Sequence, residues 1–160
     1  MKPGQILVGK HRGVYVIRMV GDVRLTFCLS FDKFIESMFS DASFASVLFD
    51  LSDADGIDST TLGLMAKISL LESERHHIEP VILAPSASIQ RILDVMGFND
   101  IFTIVDSLDV PVLAGKPLHC DSCDENSIKQ KIVEAHKILM DLNPENKEAF
   151  SDLVSSLQNS

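Results

Sequence analysis

The chain contains no tryptophan, a single tyrosine and only three cysteines, Cys28, Cys120 and Cys123, in 160 residues. Three thiols cannot make a disulfide framework, and a chain of this length buries ~68% of its unfolded surface without one, so a reducing cytoplasm is the expected compartment. No apolar run approaches the ~20 residues of a membrane span. Lys2, Lys10, His11, Arg12 and Arg18 break up the early apolar residues, so no targeting segment is expected. Bases are scarce as well: 14 Lys and Arg stand against 23 Asp and Glu, a net charge of −9. Such a surface repels phosphate backbones, and no Lys/Arg cluster is interleaved with aromatics, which argues against direct nucleic-acid binding and for a protein partner.

Catalytic signatures are missing too. The sequence has no Gly-x-x-x-x-Gly-Lys-Ser/Thr loop, no Gly-x-Gly-x-x-Gly, no Gly-x-Ser-x-Gly elbow and no His-Glu-x-x-His. His11, His76, His77, His119 and His136 are scattered along the chain. Neither an enzyme nor a bound cofactor is expected. His119, Cys120 and Cys123 form His-Cys-x-x-Cys, three soft ligands without a fourth, and a polar linker is the simpler reading than a zinc site.

What is present is an alternation of short strands and helices, with 46% of positions hydrophobic. Ile6 to Val8 and Val14 to Val20, separated by a Gly9 to Gly13 turn, predict a hairpin, with Val23 to Cys28 a further extended piece. Phe31, Phe34, Ile35 and Met38 recur at helical spacing and predict a helix over Ser30 to Phe39. Ser46 to Leu51 carries an unbroken apolar run suited to a central strand, followed by an acidic loop, Asp53 to Asp58. A helix is predicted from Ser59 to about His77, a strand over Pro80 to Ala84, a helix over Ile89 to Met96 with Gly97 as its C-terminal cap, and a last strand over Ile101 to Val105. This order calls for parallel neighbours with right-handed crossovers, an α/β sheet with an antiparallel N-terminal hairpin. Beyond it lie a polar linker and two helices. Ile128, Ile132, Ala135 and Leu139 share one face of the first. Asn143 caps the second, Pro144 opens it, and Phe150, Leu153, Val154 and Leu157 form its apolar side.

The most informative segment is Asp50-Leu51-Ser52-Asp53-Ala54-Asp55-Gly56-Ile57-Asp58-Ser59-Thr60-Thr61-Leu62-Gly63. Four aspartates lead into a helix that opens on three consecutive hydroxyl residues, with Asp58 or Ser59 as its N-cap. Calcium is excluded by register: counted from Asp53, the fifth position is Ile57 and the twelfth is Leu64, where an EF-hand needs its bidentate glutamate. A phosphate on Ser59 would instead add about −1.5 to −2 charges to this acidic segment. The helix N-terminus tolerates that charge locally, whereas a partner surface packed flush against it does not. A modified Ser59 would therefore act by blocking docking.

These residues resemble the STAS domains, specifically the bacterial anti-sigma factor antagonists. The resemblance spans about Gln5 to Leu113. It rests on Val47-Leu48-Phe49-Asp50-Leu51 followed by Ile57-Asp58-Ser59-Thr60-Thr61-Leu62-Gly63, similar to the family's Asp-Ser-Ser/Thr-Gly-Leu-Gly signature. Gly21-Asp22-Val23 and Met96-Gly97-Phe98 with Ile101-Phe102 support it. Thr61 departs from the family's usual glycine. The resemblance implies a STAS-like mixed sheet of four to five strands in a domain over 1–115, with 116–160 a linker and helical extension absent from minimal members. It also implies phosphorylation at Ser59 by a Ser/Thr kinase-type partner, with Thr60 and Thr61 as alternatives, and removal of the phosphate by a Ser/Thr phosphatase. The unphosphorylated form would bind an anti-sigma factor through Asp53, Asp55, Gly56, Ile57, Asp58, Ser59, Thr60, Thr61, Leu62 and Gly63, and so control transcription, with motility or biofilm as output. The alternatives are a small-ligand or nucleotide sensor using the same helix start as an anion pocket, and a scaffold subunit of a transporter assembly.

Overall fold

The structure, a computed structural model, describes residues 3–76, 79–109, 115–119 and 124–159. The chain opens with the hairpin β1 (Gln5–His11) and β2 (Val14–Val23), antiparallel from Gln5 opposite Val20 to His11 opposite Val14. Its turn is tighter than predicted: only Arg12 and Gly13 lie outside the ladder, both at positive φ (50° and 83°), the pair of left-handed residues that matches the twist of a hairpin. The expected extended piece over Val23 to Cys28 is not there. Leu25–Phe27 form a 3-10 turn that runs directly into α1 (Cys28–Phe39), so Cys28, which is buried, starts the helix.

β3 (Ser46–Ile57) lies parallel to β2 at the centre of the sheet. It is the main correction to the sequence reading, because Asp53 to Ile57 is the second half of a strand and not a loop. Twelve residues of β3 face ten of β2, with register breaks after Arg18 and after Gly21. Each break is a bulge that moves the inward-facing position by one. Ser52 and Asp53 are consecutive exposed residues, and the buried set shifts to Leu51, Ala54 and Ile57, a spacing of three where a regular strand has two.

Next come α2 (Ser59–His76), β4 (Val81–Leu83), α3 (Ala87–Val95) and β5 (Thr103–Val105), each crossover returning to a parallel neighbour. Gly97, at φ 87°, ends the α3 segment where a C-terminal glycine was expected. A sixth strand, β6 (Lys116–Pro117), pairs antiparallel with β1, so the sheet runs β5-β4-β3-β2-β1-β6, one strand more than anticipated. The core between sheet and helices is built on Ile6, Ile17, Met19, Phe31, Ile35, Phe49, Leu62, Met65, Phe98 and Phe102. No described helix is long and apolar enough to cross a membrane.

The chain ends in α4 (Glu125–Met140) and α5 (Pro144–Gln158), capped by Asp124 and Asn143. Ala135, Leu139 and Val154 are buried as the periodicity predicted, but Leu153 is exposed. Asn146 fastens the pair: its Nδ2 donates to the carbonyls of Leu139 and of Met96 at the end of α3, both at 2.9 Å.

Glu72, on α2, is fully buried, and neither carboxylate oxygen has a hydrogen-bond partner among the described residues. Burial raises its pKa from 4.5 to about 7. A carboxyl raised in the folded state favours folding below its unfolded pKa, and that contribution is lost as pH rises through 7. Stability therefore falls between about pH 4.5 and 7 by roughly 3 kcal/mol on this account, and Glu72→Gln flattens that part of a pH series of denaturant midpoints.

Candidate functional site

The strand-to-helix junction is held by one residue. Asp58, between β3 and α2, donates its backbone N–H to the Val23 carbonyl at 3.0 Å. Its Oδ1 accepts the Thr61 N–H at 2.9 Å, which makes Asp58 the N-cap and settles the choice left between it and Ser59. The Ser59 hydroxyl is thereby released from capping, and its Oγ lies 2.7 Å from Nε2 of His136 on α4. His136 Nδ1 is 2.7 Å from the Ile132 carbonyl. A carbonyl only accepts, so Nδ1 carries a proton, and in the neutral ring Nε2 accepts the Ser59 proton. The imidazole is 2% exposed and packs edge-to-face on Phe150 of α5, ring centroids 4.9 Å apart.

Ser59, Gly63 and Lys67 follow one another every four residues and so share one face of α2. All three meet α4. A Cβ on Gly63 would lie 2.3 Å from the Ala135 carbonyl oxygen, so the two helix backbones touch there. Lys67 Nζ bonds Asp32 of α1 at 2.8 Å and Glu134 at 2.7 Å, and Lys131 Nζ bonds the same two carboxylates at 2.6 Å each. Burial alone would push both carboxyls up; the two ammonium groups outweigh it and hold them below their usual range. Ser59, Gly63 and Lys67 meet the consecutive residues His136, Ala135 and Glu134, so two turns of α2 are gathered on one short stretch of α4, with the closest approach at Gly63.

The residues expected at a docking face divide into two groups. Asp53 and Asp55 are exposed on β3, and Gly56, Asp58 and Ser59 are partly exposed. Ile57, Thr60, Thr61, Leu62 and Gly63 are buried. The acidic segment also has counter-charges invisible in its own sequence: Arg18 pairs with Asp53 across the β2–β3 ladder, and Arg24 Nε reaches Asp22 beside Gly56 at 2.7 Å. His136 was not singled out from the sequence, although a glycine inside a helix is a signal of close backbone approach. Of the His-Cys-x-x-Cys run, His119 is exposed, while Cys120 and Cys123 lie outside the described residues, as does His77. Among the described residues no group of three His, Cys, Asp or Glu is placed to hold a metal ion.

Residues 5–110 match the family model described as STAS domain. The chain belongs to the STAS domain family. Solved structures agree on the fold of this STAS chain. The anti-sigma factor antagonist SpoIIAA in its unphosphorylated form superposes with a TM-score of 0.53 at 16% identity, over 65% of this chain and 90% of that one. An anti-sigma factor antagonist from Mycobacterium paratuberculosis gives 0.54 at 20% identity, over 67% and 89%. The Bacillus cell fate determinant SpoIIAA in its phosphorylated form gives 0.52 at 16%, over 64% and 92%. No curated protein is significantly similar in sequence. The family match ends at residue 110, before β6, α4 and α5, so the partner of Ser59 is contributed from outside the matched region.

Two measurements probe this geometry. Asp58→Ala removes the cap of α2 and lowers stability by about 1 kcal/mol in denaturant unfolding, whereas Asp58→Asn keeps most of it. Asp32 and Glu134, held below the usual carboxylate range, favour folding above their unfolded pKa values and lose that contribution as pH falls through the lowered folded values. Amide exchange in α4, corrected for the intrinsic pH dependence, should therefore lose protection on acidification below about pH 4.

Proposed function

We propose that this STAS domain is a non-enzymatic, partner-switching regulator, an anti-sigma factor antagonist with Ser59 as its switch. The observation that carries the reading is the placement of Ser59: it is the first residue of α2, relieved of capping by Asp58, at the end of an acid-lined strand. It is also the one residue of the hydroxyl series that is not buried, Thr60 and Thr61 being 3% and 2% exposed. A relative in fold, SpoIIAA, is known in phosphorylated and unphosphorylated forms, which supports the same chemistry here.

In this reading the unphosphorylated protein binds an anti-sigma factor or kinase-type partner over Asp53, Asp55, Gly56, Asp58 and the first turns of α2. Phosphorylation of Ser59 then releases it and so controls transcription. The physical basis is charge. A phosphate adds about two negative charges next to Asp58, at the end of a strand that exposes Asp53 and Asp55, while the bases Arg18 and Arg24 are already paired. A partner that buries this junction must desolvate the phosphate without a matching arginine from this chain, which costs several kcal/mol. A Ser/Thr phosphatase restores the binding form.

Fragmentation mass spectrometry of the protein isolated from its own cells, across Ile57 to Lys67, is expected to place one phosphate on Ser59. Copurification with the cellular partner should persist for Ser59→Ala and drop at least tenfold for Ser59→Asp. Equal recovery of the two variants rejects the switch.

A further inference from the structure

Ser59 has its hydroxyl against a second element of its own chain. The ring of His136 sits over Ser59 Oγ, sealed behind by Phe150, and α4 is held in place by the Gly63–Ala135 contact and by the Asp32–Lys67–Glu134–Lys131 charge ring. Neither device leaves slack. Gly63 and Ala135 touch through backbone, and His136 is fixed at both nitrogens.

We infer that α4–α5 is an intramolecular cap on Ser59, and that capping and phosphorylation of Ser59 exclude one another. The inference rests on the reading of Ser59 as the modified residue. In the closed form the hydroxyl that must attack a phosphoryl donor is bonded to a buried imidazole, so a kinase acts only on chains whose cap has opened. When Ser59 Oγ bonds to the terminal phosphorus of the kinase's nucleoside triphosphate, the bond to the nucleoside diphosphate breaks, the hydroxyl proton passes to the kinase's base, and the bond donated to Nε2 is lost. The phosphoryl group then occupies the space of the ring, next to Asp58. Rotating it away from His136 leaves Nε2 buried without a partner. Either way α4 is displaced from the Ser59 end of α2, and the inner face of α4 around Ala135, His136 and Leu139 becomes exposed.

The test is hydrogen–deuterium exchange on the full chain in three forms: unmodified, carrying phosphoserine installed at position 59 during translation, and Ala135→Leu. A leucine cannot fit against Gly63, so Ala135→Leu opens the cap without touching the matched domain or its charges. The expected result is at least tenfold faster exchange in peptides covering Glu125–Met140 for both altered forms, with peptides of β3 unchanged. Unchanged or slower exchange of α4 in the phosphoserine form overturns the inference, because the phosphate is then accommodated under a closed cap. Loss of β3 protection in that form also overturns it, since the phosphate would then unfold the domain and not merely uncap it. His136→Ala, which removes the ring but leaves the helix contact, should loosen α4 by a smaller factor than Ala135→Leu. Because the phosphate is installed and no kinase is used, failure here is distinct from failure to find phosphate on Ser59 in cells.

Discussion

Two helices can lie backbone against backbone only where one of them has no side chain to keep them apart, and Gly63 is that place. In the interior of α2 a glycine disfavours the helix by about 1 kcal/mol relative to alanine. The cost is local and the return is geometric: with Ala135 seated on Gly63, His136 falls over Ser59 one turn away and Glu134 falls beside Lys67 on the other side. The contact thus sets the register of the whole extension against α2. Asn146 braces it at a distance by joining α5 to the end of α3.

A second constraint acts on the strand side. The two bulges of β3 let twelve residues span the length of ten and turn Asp53 and Asp55 to solvent while Ala54 and Ile57 stay in the core. Ile57 ends the strand, Asp58 caps the helix, and the first residue of α2 emerges with its hydroxyl uncommitted to backbone. Because β3 is the central parallel strand, the junction sits at the carboxyl ends of the sheet, where α/β folds present their functional residues.

Much of this was legible in the residues. The hairpin, the helix starting at Ser59, the Gly97 stop and the Asn143 cap of the last helix each carry a local signal that tertiary packing left intact. The acidic half of β3 was not legible, because a bulge disturbs the alternation by which strands are recognised, and three aspartates in the six residues from Asp53 to Asp58 resemble a loop. The sixth strand was missed because two residues, Lys116 and Pro117, have no periodicity to read. The Ser59–His136 pair was invisible for another reason. It joins residues 77 positions apart, and nothing in the amphipathic pattern of α4 tells which surface its apolar stripe covers. The compositional expectation of one acidic surface also concealed local balance: Arg18 and Arg24 approach the aspartates only through the β2–β3 register.

The short strand β6 has a consequence for kinetics. Its two ladder positions tie the chain to β1 just before the extension, and only the seven residues 118–124 separate Pro117 from the start of α4. A helix pair moored so near to its berth is never diluted, its local concentration being on the order of millimolar. The opening equilibrium is then the same at every protein level in the cell, and a competitor from outside has to outbid a rival that never diffuses away.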